Sequence, residues 1–284
     1  MRSTAHQPAA AAGWDVARPP GPGRTAGVRI AGFRDRSAGP VEGPLFPHPA
    51  VTLVVAFGEG SLVVADAGGR HQGGSFVAGL VTGAAGMRGE KVMCLEVRLS
   101  PVVARAVLGV CPAELEGAVV ALDDVWGRDA ARLREQLGGA TSWQERFALA
   151  EASLARRSKT GPSVDPEVAR AWDRIAVSHG RIRVEELAAE VGWSRKRLWS
   201  RFGSQIGLPP KRAARLVRFD HAVHRLAVGE SPARVAAEGG YVDQSHLHRD
   251  VMAFTGVTPS TVAGKPWLAA DDLAWAQHGV SDVD

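Results

Sequence analysis

The chain of 284 residues has few cysteines, no long apolar run and, over one stretch, no acidic side chain. Two cysteines, Cys94 and Cys111, are too few for a disulfide framework or a four-cysteine zinc site, so a reducing, cytoplasmic setting is expected. No apolar run approaches the roughly 20 residues that cross a bilayer, which argues against a membrane protein. The first residues contain no long apolar segment and are not expected to form a secretory signal.

Catalytic motifs are missing as well. The sequence contains no Gly-x-Ser-x-Gly, no His-Glu-x-x-His and no phosphate-binding loop spacing. His48 and His71 do not show the spacing of metal ligands. We therefore predict that the protein is not an enzyme, with no catalytic residue, metal or cofactor.

The basic residues are concentrated in one segment. The net charge of +4 divides into +3 for residues 1–162, +5 for 163–268 and −4 for 269–284. A solvated helical face usually mixes both signs, whereas a segment of one sign favours a polyanionic partner. Between Val191 and Phe219 there is no acidic residue, and the eight basic ones are Arg195, Lys196, Arg197, Arg201, Lys211, Arg212, Arg215 and Arg218.

The patterns predict an α+β protein with a β-rich, barrel-like first domain that also contains helices. Short apolar runs separated by glycines predict strands there, and Val51–Phe57 with Ser61–Ala67 is expected to form a hairpin. The predicted divisions are a disordered leader at 1–24, a sensor or dimerisation domain at 25–160, a helical domain at 163–268 and an acidic tail at 269–284. The turn-rich stretch 158–163 is the expected linker.

The helical domain repeats one arrangement twice. A short helix, a glycine-containing turn and a polar helix occur at 184–202 and again at 233–254, joined by a long helix near 211–228. Ser194 and Asp243 are the expected N-caps of the two polar helices. Two such units joined by one helix predict a double helix-turn-helix DNA-binding domain.

The second helix of each unit is expected to enter the major groove. Leu198, Phe202, Leu247 and Val251 would anchor these helices inward. The predicted base contacts are Arg195, Lys196, Trp199, Ser200, Gln244, Ser245, His246 and Arg249. The predicted phosphate contacts are Arg201, Lys211, Arg212, Arg215 and Arg218. Two alternatives stay open: Trp199 could belong to the core, and Arg215 and Arg218 could pair with Asp220 or Glu190.

Residues 170–264 resemble the DNA-binding domain of the AraC/XylS family of bacterial transcription regulators. The resemblance rests on VEELAAEVGWSRKRLWSRFGSQIGLPP in the first unit, RLVRFDHAVHRLA in the connecting helix and VAAEGGYVDQSHLHRDVMAFTGVTPS in the second unit. It implies a transcription factor that places both recognition helices in successive major-groove segments of double-stranded DNA. Val251 and Thr255 depart from the pattern, since the family usually has aromatic residues there.

The first domain is similar to the β-rich half of some family members, which binds a small effector or mediates dimerisation. Candidate pocket residues are Phe46, His48, Phe57, His71 and Glu96, with ordinary turn and core positions as the alternative. The partners implied are DNA, a small-molecule effector, RNA polymerase and a second copy of the chain. The competing functions are an effector-binding or dimerisation protein with a degenerate DNA module, and an enzyme that uses this module as a targeting arm. The absence of a zinc-binding cysteine cluster argues against a repair enzyme.

Overall fold

A computed structural model describes residues 9–11, 13–21, 23, 25–66, 68–80, 83, 85–262 and 266–275. It confirms the α+β class, with a β-rich N-terminal part and a helical C-terminal part. Across these residues, none of the helices is both long enough and apolar enough to cross a membrane.

The N-terminal part contains two antiparallel sheets instead of one closed barrel. The larger sheet has the strand order β1-β2-β3-β10-β5-β8-β11 and the smaller has the order β4-β9-β6-β7. The strands are β1 (Ala9–Ala11), β2 (Trp14–Ala17), β3 (Val28–Asp35), β4 (Val41–Leu45), β5 (Val51–Ala56), β6 (Ser61–Ala65), β7 (His71–Gly73), β8 (Phe76–Ala78), β9 (Ala85–Glu90), β10 (Met93–Leu99) and β11 (Val119–Ala121).

The described helices number twelve, apart from a short 3₁₀ helix at Pro112–Leu115. They are α1 (Pro101–Leu108), α2 (Leu122–Trp126), α3 (Arg128–Gly139), α4 (Trp143–Thr160), α5 (Pro166–Val177), α6 (Val184–Glu190), α7 (Arg195–Ile206), α8 (Pro210–Ala227), α9 (Pro232–Glu238), α10 (Gln244–Thr255), α11 (Pro259–Val262) and α12 (Pro266–Trp275).

The larger sheet buries both of its faces, and β10 shows why. Side chains alternate across a strand, so Leu95 and Val97 point into the main core while Cys94 points toward the smaller sheet. The main core continues through α1, α3 and α4 into α5, α7 and α8. The two parts of the chain therefore share one apolar core.

Two predictions about the first domain are wrong. The expected hairpin does not form, because β5 pairs with β10 and β8 while β6 pairs with β9 and β7. The glycines after Phe57 carry the chain from one sheet to the other, and a turn signal cannot distinguish that path from a hairpin. The second prediction is the disordered leader at 1–24, whose described residues include β2, a strand that pairs with β3.

The ends of the chain's helices also differ from two expected boundaries. Helix α4 continues to Thr160, so it includes the first half of the predicted linker. Gly161 follows it, and a Cβ there would lie 2.1 Å from the backbone oxygen of Ala106 on α1. The predicted acidic tail begins inside α12, while residues 276–284 lie outside the described residues.

Candidate nucleic-acid interface and ligand cavity

The polar helix of the first unit is α7, and its N-cap and two inward anchors are those that the sequence predicts. Ser194 caps it, with the side chain accepting a hydrogen bond from the Arg197 backbone N–H at 3.2 Å. Leu198 and Phe202 are fully buried, and Phe202 stacks on Trp172 of α5 at 6.5 Å between ring centroids. The anchored face leaves the opposite face of α7 to solvent.

The predicted base contacts on α7 lie on this free face. Arg195, Lys196, Trp199 and Ser200 are all exposed. Trp199 keeps 60% of its surface accessible, so the alternative that it belongs to the core is wrong. Arg195 pairs with Glu185 of α6 at 3.1 Å, a contact that solvent screens and that a phosphate or base could replace.

The second unit repeats the design on α10. The Asp243 carboxylate caps the helix by accepting a hydrogen bond from the His246 backbone N–H at 2.7 Å. Leu247 and Val251 are fully buried. Phe254 stacks on Phe219 of α8 at 4.4 Å, which fixes α10 on the connecting helix.

Three of the four predicted base contacts on α10 are free to reach a partner. Gln244, Ser245 and Arg249 are exposed, and among the described residues the Arg249 side chain bonds only to its own helix, at the Ser245 backbone oxygen. His246 is half-buried against the Tyr241 ring at 5.3 Å, and its Nδ1 accepts from the Val242 backbone N–H at 3.4 Å. The imidazole of His246 is therefore engaged in holding the turn.

Three of the five predicted phosphate contacts already hold acidic partners. Arg201 pairs with Asp165 at 2.6 Å, Arg212 with Glu116 at 2.9 Å and Arg215 with Asp250 at 3.0 Å. The partner of Arg215 is thus neither Asp220 nor Glu190. In the part of the chain that the structure describes, Lys211 is exposed without an ion pair, while Arg218 lies over the Tyr241 ring.

Two exposed residues, one on α7 and one beside α10, are not among the predicted DNA contacts. Val242 stands immediately before the N-cap of α10 and is 87% exposed, the most exposed large apolar residue described. Arg197 lies on α7 with its guanidinium 4.6 Å from the Trp193 ring centroid. For Val242, the sequence signal was its position: a residue that precedes an N-cap projects beside the start of the helix.

Residues 187–265 match the family model described as "Helix-turn-helix domain". The match begins inside α6 and covers the rest of the first unit, the connecting helix and the second unit. Residues 187–265 are an AraC-type helix-turn-helix domain. The match supports a DNA-binding transcription regulator. No curated protein sequence matches the chain.

Several solved structures are similar to the chain at low identity. ToxT from Vibrio cholerae is 12% identical, with 84% of this chain and 98% of that chain covered and a TM-score of 0.46. ToxT with bound unsaturated fatty acid is 11% identical, with 86% and 97% covered and a TM-score of 0.45. The C-terminal domain of AraT from Geobacillus stearothermophilus is 18% identical, with 43% and 93% covered and a TM-score of 0.34. At such scores the likenesses carry no argument about function.

The helix-turn-helix domain accommodates Val251 and Thr255, which stand where the family usually has aromatic residues. Val251 fits without exposure, and Thr255 is also buried. The Thr255 hydroxyl donates to the Val251 backbone oxygen at 2.7 Å and accepts from the Val257 backbone N–H at 3.1 Å. A buried hydroxyl with partners costs little, so Thr255 is accommodated in the second unit.

A cavity of about 720 Å³ lies between the two sheets and reaches α8 of the helix-turn-helix domain. Of the five predicted pocket residues, Phe46, His48 and Glu96 line it. Phe57 does not, because it packs on the opposite side of the larger sheet against Trp143. His71 does not either, since it is exposed on β7. Strand alternation alone could not say which face of the sheet would border a cavity.

One end of the cavity is polar and charged. The buried Arg98 guanidinium donates to Glu96 at 2.9 Å and pairs with Asp271 of α12. Burial raises the pKa of Glu96. Burial opposes the charge of Arg98, but Asp271 and Glu96 outweigh it and raise the pKa of Arg98. Burial, followed by the positive charge of Arg98, holds the pKa of His48 well below its usual value.

Proposed function

We propose that the protein is a sequence-specific regulator that reads two successive major-groove segments with α7 and α10. The observation that carries this proposal is the pair of capped helices, each anchored by buried apolar residues and each exposing a polar face. Arg195 and Lys196 on α7, and Gln244 and Arg249 on α10, carry the donors and acceptors that recognise base edges.

The connecting helix supports simultaneous binding by both units. Helix α8 has 18 residues and is about 27 Å long at 1.5 Å per residue. Successive major-groove segments on one face of DNA are separated by about 34 Å. A helix of this length, with one unit packed at each end, suits recognition helices about one turn apart.

We further propose that the cavity binds a small effector with an apolar body and an anionic group. Val54, Leu62 and Phe76 supply an apolar wall, and the buried Arg98 supplies a positive charge at one end. A volume of about 720 Å³ lies within the usual range for small-molecule sites. An unsaturated fatty acid, the ligand in one structure of ToxT, belongs to this chemical class.

The other partners remain predictions from the family resemblance. A homodimer, a contact with RNA polymerase and a cytoplasmic setting are all expected for such a regulator. The close packing of Val251 and Thr255 in the second unit gives no support to a degenerate DNA module.

The proposal is tested by selecting DNA from a random duplex library with the full chain and measuring affinity for the enriched sequence at several salt concentrations. Each neutralised phosphate contributes a slope of about −0.9 to log K against log salt. If the ion pairs of Arg201, Arg212 and Arg215 persist, the two remaining phosphate contacts, Lys211 and Arg218, give a slope of about −1.8. Engagement of all five predicted phosphate contacts would bring the slope to about −4.5. The control is a scrambled duplex of the same length. Failure to enrich any sequence at low salt contradicts the proposal.

A further inference from the structure

The C-terminal helix α12 lies outside the matched domain and packs back onto the N-terminal half. Ala270, Ala274 and Trp275 form a small apolar cluster with Val16 of β2 and Ala31 of β3. Trp275 is only 7% exposed. Helix α12 also contacts α8, so it bridges the larger sheet and the helix that joins the two DNA-binding units.

Two arginines of the larger sheet hold α12 in place. The Arg98 guanidinium lies 4.4 Å from the Trp275 ring centroid and the Arg29 guanidinium 5.5 Å from it. Arg29 also donates to the Trp275 backbone oxygen at 3.4 Å. Asp271, one helical turn earlier, pairs with both terminal nitrogens of Arg98. The docking therefore depends on charge as well as on apolar contact.

The pairing between Arg98 and Asp271 takes place inside the cavity. Both residues line it, together with Glu96, His48 and His224. A buried guanidinium is stable only when it is paired and hydrogen-bonded, and Arg98 is paired with both Glu96 and Asp271. Glu96 lies on the same strand, whereas Asp271 comes from a helix that covers the end of the cavity.

The docking of α12 leaves one polar group unsatisfied. Among the described residues, the Trp275 indole N–H is buried with no hydrogen-bond partner. An orphan buried donor weakens a contact because the group has lost its bonds to water. Within the described ranges of the chain, the pair between Arg98 and Asp271 is the ion pair that attaches α12 to the larger sheet, and an alternative anion at Arg98 removes this pair.

We propose that Asp271 is an internal substitute for the anionic group of an effector and that α12 is a clasp which the effector displaces. The proposal rests on the effector site proposed above and adds its regulation. A ligand anion takes the place of Asp271 on Arg98, and α12 leaves the sheet. Because α12 also contacts α8, its release removes a contact between the sensor domain and the helix that joins the two recognition units.

The test compares the full chain with Asp271→Asn, which keeps the shape of the side chain and removes its charge. The probes are 2-naphthoate and neutral 2-naphthylmethanol, which share an apolar body and differ in the anionic group. We expect Asp271→Asn to bind 2-naphthoate about tenfold more tightly than the parent chain, with 2-naphthylmethanol unchanged. Asp124→Asn, an exposed substitution on α2, is the matched control and should change neither affinity.

Hydrogen exchange of the amides of α12 provides the second readout. We expect faster exchange at 266–275 in Asp271→Asn, and in the parent chain once 2-naphthoate is added, with circular dichroism unchanged. Equal naphthoate affinity in the parent chain and Asp271→Asn, with α12 still protected, overturns the clasp and leaves the effector site standing. Binding of neither probe to either protein overturns the effector site and the clasp together.

Discussion

The two helix-turn-helix units share one local design and differ in what lies behind them. The first is docked on the N-terminal domain: the Cys111 thiol donates to the Ser204 backbone oxygen at 2.8 Å, and a Cβ on Gly207 would lie 2.8 Å from the Pro112 backbone oxygen. Gly256 ends α10 as Gly207 ends α7, yet a Cβ there would stand in open space. Helix α10 packs mainly on α8, α9 and α11.

Under the proposed function, this difference gives the N-terminal domain a route by which it influences DNA binding. The first unit contacts the N-terminal domain directly, whereas the second unit is attached to it through the connecting helix α8. Any signal that shifts α8 relative to the sheets changes the relation between the two recognition helices. The first unit keeps its position on the N-terminal domain, and the position of the second unit depends on α8.

The largest expected effect comes from an alanine at the end of each recognition helix. Gly256→Ala should cost about 1–2 kcal/mol in the free energy of unfolding, because its φ of +71° is left-handed. Gly207→Ala has a φ of +94° and also meets Pro112, so overpacking raises the expected cost to about 2–5 kcal/mol. Urea unfolding measures the loss of stability in both variants. Equal losses would contradict the conclusion that the first unit, but not the second, is docked on the N-terminal domain.

The next comparison separates base reading from phosphate binding. Arg249→Ala should weaken binding to the selected DNA by about 1–3 kcal/mol and leave scrambled DNA nearly unaffected. Lys211→Ala should weaken both duplexes equally and reduce the salt slope by about 1. Fluorescence anisotropy at several salt concentrations distinguishes them. If Arg249→Ala lowers both affinities alike, Arg249 is a phosphate contact.

The smallest expected effect is the decrease in the free energy of unfolding as the pH falls. Burial holds the pKa of His48 well below 6.5 in the folded chain, so the unfolded chain binds more protons once the pH falls below 6.5. The stability that neutral His48 contributes is present above pH 6.5 and decreases as the pH falls. At pH 5.5 the loss is at most about 1.4 kcal/mol.

His221 of α8 offers the matched comparison for His48. Burial also lowers the pKa of His221, but not as far as that of His48, so the contribution of His221 is smaller. We expect His48→Gln to flatten the fall of unfolding free energy between pH 7.5 and 5.5 more than His221→Gln does. Urea titrations at both pH values check this, and a larger effect of His221→Gln would refute the assignment.

The sequence was most informative where the governing interactions are local. Ser194 and Asp243 cap the helices as predicted, and Leu198 and Val251 are buried as predicted, because capping and helical periodicity depend on neighbouring residues. The expected hairpin failed because strand pairing is decided by distant partners. Glu96 and Phe57 were both pocket candidates, and only the sheet arrangement placed them on opposite faces.

By itself, the sequence determined the class of fold, the double helix-turn-helix and the exposed polar faces of its recognition helices. Only the tertiary structure decided which cations are free, since Arg201, Arg212 and Arg215 find their acids 35 or more residues away. The tertiary structure also shows that the expected acidic tail begins inside α12, where Asp271 forms an ion pair with Arg98 in a cavity. The physical reason is range: caps and periodicity act within a few residues, whereas charge pairing and cavity walls depend on segments that meet only after the chain has folded.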